Sequence, residues 1–135
     1  MRTVTGPKKG DTLNEVDKQR YQAAIGCLIY LMLGSRPDLA FSVNKLAQYC
    51  AAPTVRHWIG VKRIIRFDKG TLNYGLLLRN VPREKEDLIP TGLINGYFDA
   101  AFMDDTRDRH STMGYVFFCA GSLVSWSSRK QRTGA

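Results

Sequence analysis

The sequence predicts an α+β protein in which about three helices are followed by about three antiparallel strands. Apolar residues recur with the 3.6-residue period of helices between residues 17 and 68. Near the C-terminus, two short apolar runs are joined by two turn-forming residues, which is typical of a β-hairpin. Between these regions, residues 80–91 are charged and poor in apolar side chains, as linkers usually are.

These patterns divide the chain into four predicted segments. Residues 1–16 are polar and show no apolar period, so they are predicted to be a flexible arm. Residues 17–79 contain the helices and one strand, from Asn73 to Arg79. Residues 80–91 are the predicted linker, and residues 92–135 contain the remaining strands.

The first two helices are predicted from capping residues and apolar spacing. Asp17 is placed to cap the first helix, and Gly34 lies just past its end. A second helix is predicted to start at Pro37, because proline is favoured in the first turn of a helix. The residues expected to face the core are Tyr21, Ile25, Leu28, Met32, Leu39, Val43, Leu46 and Tyr49 or Cys50.

A third helix is predicted from its cap, Thr54, to about Phe67 or Asp68, with Gly70 closing it. Apolar residues gather on one of its sides and cations on the other. The apolar set is Trp58, Val61, Ile64 and Ile65, and the cationic set is Arg56, Lys62, Arg63 and Arg66. Such a cationic stripe is either a solvated surface or a clamp for phosphates. His57 is expected to be a surface or capping residue, and Trp58 an anchor in the core.

In the last segment, a strand from Leu93 to Phe98 is predicted to place Asp99 at its end. A hairpin follows, with strands at 113–119 and 122–127 joined across Ala120-Gly121. A carboxylate at the end of a strand suits either a metal ligand at a sheet edge or a turn residue. The acids in the next loop are expected to form turns and local ion pairs rather than to bind metal; they are Asp104, Asp105 and Asp108.

Composition narrows the functional classes. The formal charge of +8 and the pI near 9.7 favour an anionic partner such as nucleic acid, although a merely basic surface remains open. Three widely spaced cysteines argue against a zinc site or a disulfide framework and suggest buried thiols in a reducing compartment. The polar N-terminus is unlike a signal peptide, and the longest apolar run is too short to span a bilayer. Cytoplasm or nucleus is therefore the expected location.

Two groups of spaced residues resemble the Pol polyproteins of copia-type retrotransposons. The first is similar to the end of the reverse transcriptase and its connection, and the second to the opening of the ribonuclease H domain. The first group is Tyr21, Ile25-Gly26, Leu28, Tyr30-Leu31, Arg36-Pro37-Asp38-Leu39-Ala40, His57-Trp58, Lys62-Arg63-Ile64-Ile65-Arg66 and Lys69-Gly70-Thr71. The second is Gly96-Tyr97-Phe98-Asp99-Ala100, Asp105, Asp108-Arg109, Ser111-Thr112, Gly114-Tyr115-Val116-Phe117 and Val124-Ser125-Trp126-Ser127-Ser128-Arg129-Lys130-Gln131.

The resemblance implies that residues 17–79 are similar to a thumb or connection and residues 92–135 to an incomplete ribonuclease H-like sheet. It also implies that Asp99 is the first of several carboxylates that hold two Mg²⁺ ions in such domains. The other carboxylates of the family lie beyond the matched residues, so we expect this chain not to cut RNA and to need no cofactor. Weak binding to RNA–DNA hybrid or another nucleic acid is expected through Arg56, Lys62, Arg63, Arg66, Arg129, Lys130 and Arg132. Asp68 departs from the apolar residue usual in the family, and such a charge must be exposed or paired.

Two other functions stay open. The chain also resembles secreted RxLR-type effectors of plant-pathogenic oomycetes, which implies a host-protein partner, secretion into host cells and suppression of cell death. Their short motif would fall on Arg63-Ile64-Ile65-Arg66 and departs from it at Ile65. Alternatively, the chain is an excerpt of an active Pol that cleaves the RNA of hybrids. In the incomplete ribonuclease H-like sheet, the missing strands leave the hairpin from Met113 to Ser127 with an uncovered edge, which favours self-association.

Overall fold

A computed structural model describes residues 11–78, 94–101 and 110–131. The described elements, in order, are α1 (Glu15–Gly34), a 3₁₀-helix (Pro37–Leu39), α2 (Ala40–Ala47), α3 (Val55–Gly70), β1 (Ile94–Ala101), β2 (Thr112–Cys119) and β3 (Ser122–Lys130). Helices precede an antiparallel sheet, which confirms the predicted α+β class. The chain forms two compact units that divide after Tyr74. The predicted linker, residues 80–91, lies outside the described residues.

Helix α1 begins earlier than its apolar pattern suggests. Asn14, not the predicted Asp17, is the capping residue, and its side-chain oxygen accepts a hydrogen bond of 2.8 Å from the Asp17 backbone N–H. Asp17 lies in the first turn, where its negative charge complements the positive end of the helix dipole. The predicted core side is correct, because Tyr21, Ile25, Leu28 and Met32 are all buried.

Residues 11–16 are structured, so the prediction of a flexible arm is wrong for them, and residues 1–10 lie outside the described residues. Thr12 forms an isolated antiparallel bridge with Thr54. The Leu13 N–H donates to the Pro53 carbonyl (3.0 Å), and the Val55 N–H donates to the Asp11 carbonyl (2.9 Å). These bonds join the start of α1 to the start of α3 and satisfy a backbone donor in the first turn of α3.

The second predicted helix starts as a 3₁₀ turn at Pro37 and continues as α2. Leu39 and Val43 are buried as expected, whereas Leu46 and Tyr49 are only partly buried. The Tyr21 hydroxyl donates a 2.6 Å hydrogen bond to the Leu46 carbonyl, tying α1 to the end of α2. Burial raises the pKa of Tyr21, so the phenol stays protonated and remains a donor.

Helix α3 begins after Thr54, as predicted, and ends at Gly70. Val61 and Ile64 point into the core, where Val61 is completely buried. Ile65 is predicted to lie on the same side of α3 but is 43% exposed. The buried face of α3 is therefore narrower than the apolar side that the sequence predicts. Among the cysteines, Cys27 is exposed and Cys50 and Cys119 are partly buried, so the prediction of buried thiols is wrong for Cys27.

Arg36 links the start of the second helical segment to the end of α3. Its side chain is nearly buried, at 5% exposure, and its five N–H donors meet five acceptor contacts. Nε and Nη2 bind the two oxygens of Asp38 at 3.1 and 2.9 Å, and Nη1 binds an Asp68 oxygen at 2.6 Å. The remaining two contacts are with Thr71, through its carbonyl (3.3 Å) and hydroxyl (2.8 Å).

The Arg36 cluster also explains two sequence features. Hydrogen bonds from Arg36 hold the pKa of Asp38 below its usual value, and the bond to Asp38 raises the pKa of Arg36. Asp68, the unusual charge in α3, is paired rather than exposed. The Arg36 guanidinium also lies 5.7 Å from the ring centroid of Phe67 and 5.8 Å from that of Tyr74. The predicted strand at 73–79 is not observed in its described part, residues 73–78, where Tyr74 instead covers Arg36.

The three described strands form an antiparallel sheet in the order β1-β2-β3. Ala120 (φ 47°) and Gly121 (φ 76°) connect β2 to β3 as the predicted two-residue turn, and both have the positive φ that type I′ turns require. The ring of Phe117 lies against its cross-strand partner Gly96, where a methyl group would collide with it. A register shift between Phe117 and Phe118 marks an irregularity in the pairing of β2 with β3.

We predict that Arg36→Met lowers the free energy of unfolding of the helical unit by about 3 kcal/mol, because two carboxylates lose their partner. Arg36→Lys keeps the charge but not the planar fork, so it should lose about half as much. Urea unfolding followed by circular dichroism measures both. Equal stability of wild type and Arg36→Met would contradict this role.

We also predict that the chain self-associates through β1, which lies at one edge of the sheet that the described strands form. Phe98, in β1, is 87% exposed. Phe98→Lys should shift the chain toward the monomer in sedimentation velocity, because a lysine on an edge strand discourages pairing. Phe41→Lys, at an exposed position of α2, is the matched control. A monomeric wild type, or the same shift in both variants, would contradict the prediction.

The cationic face of α3 and the carboxylate of β1

Helix α3 presents its cations to solvent. The four predicted cations, Arg56, Lys62, Arg63 and Arg66, are all exposed, while Val61 and Ile64 face the core. Asp68 is the single acid of α3, and it is directed toward Arg36. The outward side of this helix therefore carries positive charge without an acidic residue of its own.

Lys69 belongs to the same surface and was missed in the sequence analysis. It is exposed in the last turn of α3 and lies seven residues after Lys62, a spacing that brings two residues to the same side of a helix. We call these five residues, Arg56, Lys62, Arg63, Arg66 and Lys69, the cationic face. Among the residues that the structure describes, none of the five takes part in an ion pair.

Trp58 lies beside the cationic face but is partly buried. Its ring centroid is 6.2 Å from that of Tyr21, and the Lys62 ammonium lies 5.3 Å from it. A cation over an aromatic ring is stabilised by the negative face of the ring. Trp58 therefore anchors α3 to α1 and orients Lys62, as expected of a core residue, rather than offering a free surface for base stacking.

The other predicted contacts to nucleic acid lie in the strand-containing unit. Arg129 is exposed and pairs across the sheet with Met113, and Lys130 is partly buried and pairs with Thr112. Arg132 lies outside the described residues. Arg129 and Lys130 occupy adjacent positions of β3, so their side chains leave the sheet on opposite sides. These two cations therefore do not form one patch.

Asp99 lies within β1 rather than at its end, because β1 continues to Ala101. Its side chain is exposed, and it lies opposite Gly114 in β2. One carboxylate oxygen accepts a 2.8 Å hydrogen bond from the Ala100 backbone N–H. Because Gly114 has no side chain, the residue opposite Asp99 in β2 does not cover the Asp99 carboxylate.

Within residues 11–78, 94–101 and 110–131, no three His, Cys, Asp or Glu side chains gather into a group that could hold a metal ion. Asp104, Asp105 and Asp108 lie outside those ranges. Mg²⁺ keeps its waters unless several oxygen ligands converge on it, so Asp99 and its described neighbours do not fit a Mg²⁺ site. No catalytic step can be assigned to Asp99 on this geometry.

Of two residues with clear structural roles, Arg36 escaped the sequence analysis in part and His57 did not. Arg36 appeared only within a matched motif, although an Arg-Pro-Asp sequence before a helix could have suggested a local ion pair. His57 was expected to be a surface or capping residue, and the structure makes it the capping partner of Thr54. No helix in the described parts of the chain has the length and apolar character needed to cross a membrane.

Comparison with known proteins gives a consistent set of relatives. No family model matches the chain, and no solved structure matches it. Secreted RxLR effector protein 161 of Plasmopara viticola is 40% identical over 115 residues, which cover 85% of this chain and 75% of the effector. The retrovirus-related Pol polyprotein from transposon RE2 of Arabidopsis thaliana is 37% identical over 116 residues, covering 86% of this chain.

The matched segment is a small part of each transposon protein. It spans 7% of the RE2 polyprotein and 8% of the Pol polyprotein from transposon TNT 1-94 of Nicotiana tabacum, which is 32% identical over 115 residues. The same stretch of this chain thus aligns with an effector of comparable length and with one segment of much longer polyproteins. The chain belongs to the family of copia-type retrotransposon Pol sequences, within a segment that this family shares with Secreted RxLR effector protein 161.

Proposed function

We propose that this retrotransposon-derived chain binds the phosphate backbone of nucleic acid weakly through the cationic face of α3 and does not cleave RNA by itself. The orientation of α3 carries the proposal. Five cations of this helix are exposed, and its single acid is held by Arg36 on the other side. Its action would take place in the cytoplasm or nucleus.

Binding of this kind depends on charge rather than on base sequence. Cations that neutralise phosphates release condensed counterions, which makes affinity fall as salt rises. Lys62 and Arg66 are four residues apart, or about 6 Å along the helix axis, so neighbouring turns can contact successive phosphates. Backbone contacts of this type position a protein without reading bases. RNA–DNA hybrid, duplex DNA and single strands are therefore all expected ligands.

We predict that Arg63→Gln/Arg66→Gln weakens binding to an RNA–DNA hybrid and reduces the slope of log affinity against log salt by about 2, since each phosphate contact contributes about 0.9. Fluorescence anisotropy at several salt concentrations measures this slope. The matched control is Lys18→Gln/Arg20→Gln, which removes the same charge from α1. Arg20 is exposed and pairs with Asp17 at 3.2 Å, an interaction that contributes little to stability.

Salt-independent binding, or no binding at low salt, would overturn the nucleic-acid proposal. If the α1 control reduces the slope of log affinity against log salt equally, binding depends on the net charge of the chain and not on the cationic face. Stronger binding to hybrid than to duplex DNA would point to recognition of A-like shape and the 2′-hydroxyl in addition to charge.

We predict that the purified chain does not hydrolyse the RNA strand of a hybrid when Mg²⁺ is supplied, because a single carboxylate does not assemble a two-metal site. Gel electrophoresis of end-labelled hybrid is the measurement, and Asp99→Asn is the paired variant. Cleavage by the wild type that disappears in Asp99→Asn would establish catalysis and contradict the proposal. Cleavage that persists in Asp99→Asn would indicate a contaminating nuclease.

A second function is favoured by the similarity to Secreted RxLR effector protein 161, which extends over three quarters of that protein. The chain would then be secreted into host cells and act by binding a host protein. The short motif lies in the middle of α3, where Arg63 and Arg66 are exposed and Ile64 is buried. Suppression of cell death in plant cells by a chain that fails to bind nucleic acid in vitro would favour this second function.

A further inference from the structure

His57 closes the N-terminus of α3 in an arrangement that depends on its protonation state. The Thr54 backbone N–H donates to His57 Nδ1 at 3.1 Å, and the Thr54 side chain accepts from the backbone N–H of His57. The Thr54 hydroxyl oxygen also lies 3.2 Å from Nδ1. This is a capping box in which histidine takes the place that glutamate or glutamine usually occupies.

The cap requires Nδ1 to be an acceptor. A neutral imidazole has one donor and one acceptor nitrogen, and an imidazolium has two donors. The bond from Thr54 therefore requires the proton of neutral His57 to be on Nε2. A second proton, on Nδ1, would face the Thr54 N–H, and Thr54 is only 4% exposed, so water has little access to replace the lost acceptor.

Features at the N-terminus of α3 disfavour a positive charge on the His57 ring. The Tyr49 ring stacks on the imidazole at 3.7 Å between centroids. Burial raises the pKa of the Cys50 thiol, which follows Tyr49 in the chain, so this thiol is neutral near pH 7. Arg56 precedes His57 in α3, and the N-terminus of the helix is itself positive. Asp11, whose backbone carbonyl accepts from the Val55 N–H in the first turn, has an exposed side chain.

We propose that the N-terminal cap of α3 is a pH-sensitive device: a proton taken up by Nδ1 of His57 removes the acceptor of the Thr54 N–H, breaks one of the two bonds of the capping box and loosens the first turn of the helix. The bridge between Thr12 and Thr54 shares this site, so the segment that enters α1 loosens with it. The Arg36 cluster lies at the opposite end of α3 and holds that end in place. This inference is independent of nucleic-acid binding.

Asp38, the acid paired with Arg36, does not titrate in the range of an ordinary histidine. Histidine changes charge between about pH 5 and 8. Because its pKa is lowered by Arg36, Asp38 stabilises the fold above its unfolded-state pKa, and this contribution is lost only as pH falls through the still lower folded value. Asp38 therefore stays ionised throughout the range in which His57 changes state. The chain has one other histidine, His110, which lies in the strand-containing unit.

The test is urea unfolding of the full chain at about pH 7.5 and about pH 5.5, which lie on either side of the ordinary histidine pKa. Trp126→Phe is introduced throughout, so that fluorescence comes from Trp58 in α3. We expect acidification to raise the unfolding equilibrium constant about tenfold, equal to about 1.4 kcal/mol. His57→Gln should remove most of this dependence, because glutamine can accept from the Thr54 N–H at both pH values. His110→Gln, the matched control, should behave like the parent.

An unfolding constant that does not change with pH would overturn the proposal, as would the same pH dependence in His57→Gln and its parent. Loss of the dependence only in His110→Gln would assign it to the other unit. If His57→Gln does not fold, nitrogen NMR of the parent decides, because it distinguishes the two neutral tautomers. A proton on Nε2 near pH 8, with Nδ1 becoming protonated on acidification, supports the cap, and a proton on Nδ1 near pH 8 contradicts it.

Discussion

The buried guanidinium of Arg36 is the constraint on which the helical unit depends. Helices α1 and α2 pack through apolar side chains, which are non-directional and tolerate small shifts. Arg36 instead fixes two chain segments by geometry, because its planar fork meets Asp38 on one edge and Asp68 and Thr71 on the other. The guanidinium charge of Arg36 is only 5% exposed, and it is tolerated because each of its N–H donors has an acceptor. The position of the end of α3 follows from this match.

The same interaction influences the character of the surface. Asp68 would otherwise be available to neutralise neighbouring cations of α3, and its bond to Arg36 directs it away from them. The cationic face is then separated from the acid of its own helix by the helix itself. Among the described residues, none of the five cations is paired with an acid. Phosphates can therefore replace the water and counterions around these cations without breaking an ion pair of the protein. The ion pair between Arg36 and Asp68 on one side of α3 thus leaves the cationic face, on the other side of the helix, available to bind phosphates.

The strand-containing unit is held together differently. Its sheet depends on local pairings, of which the two-residue turn at Ala120-Gly121 and the cover of Gly96 by Phe117 are the clearest. Several apolar side chains of β1 stay exposed, including Tyr97 and Phe98. Asp99 lies among them as a single exposed carboxylate. The chain is related to Pol sequences, and within the described residues Asp99 does not belong to a group of three possible metal ligands.

The sequence alone determined the α+β class, the buried face of α1, the cap of α3 at Thr54 and the hairpin turn, because each depends on local spacing or on residues with special backbone preferences. It also identified four of the five residues of the cationic face. Only the tertiary structure decided that Asp68 pairs with Arg36, that Tyr74 covers Arg36 instead of continuing a strand, and that residues 11–14 pack beside α3. These contacts join residues about thirty or more positions apart, and local pattern carries no information about which distant groups will meet.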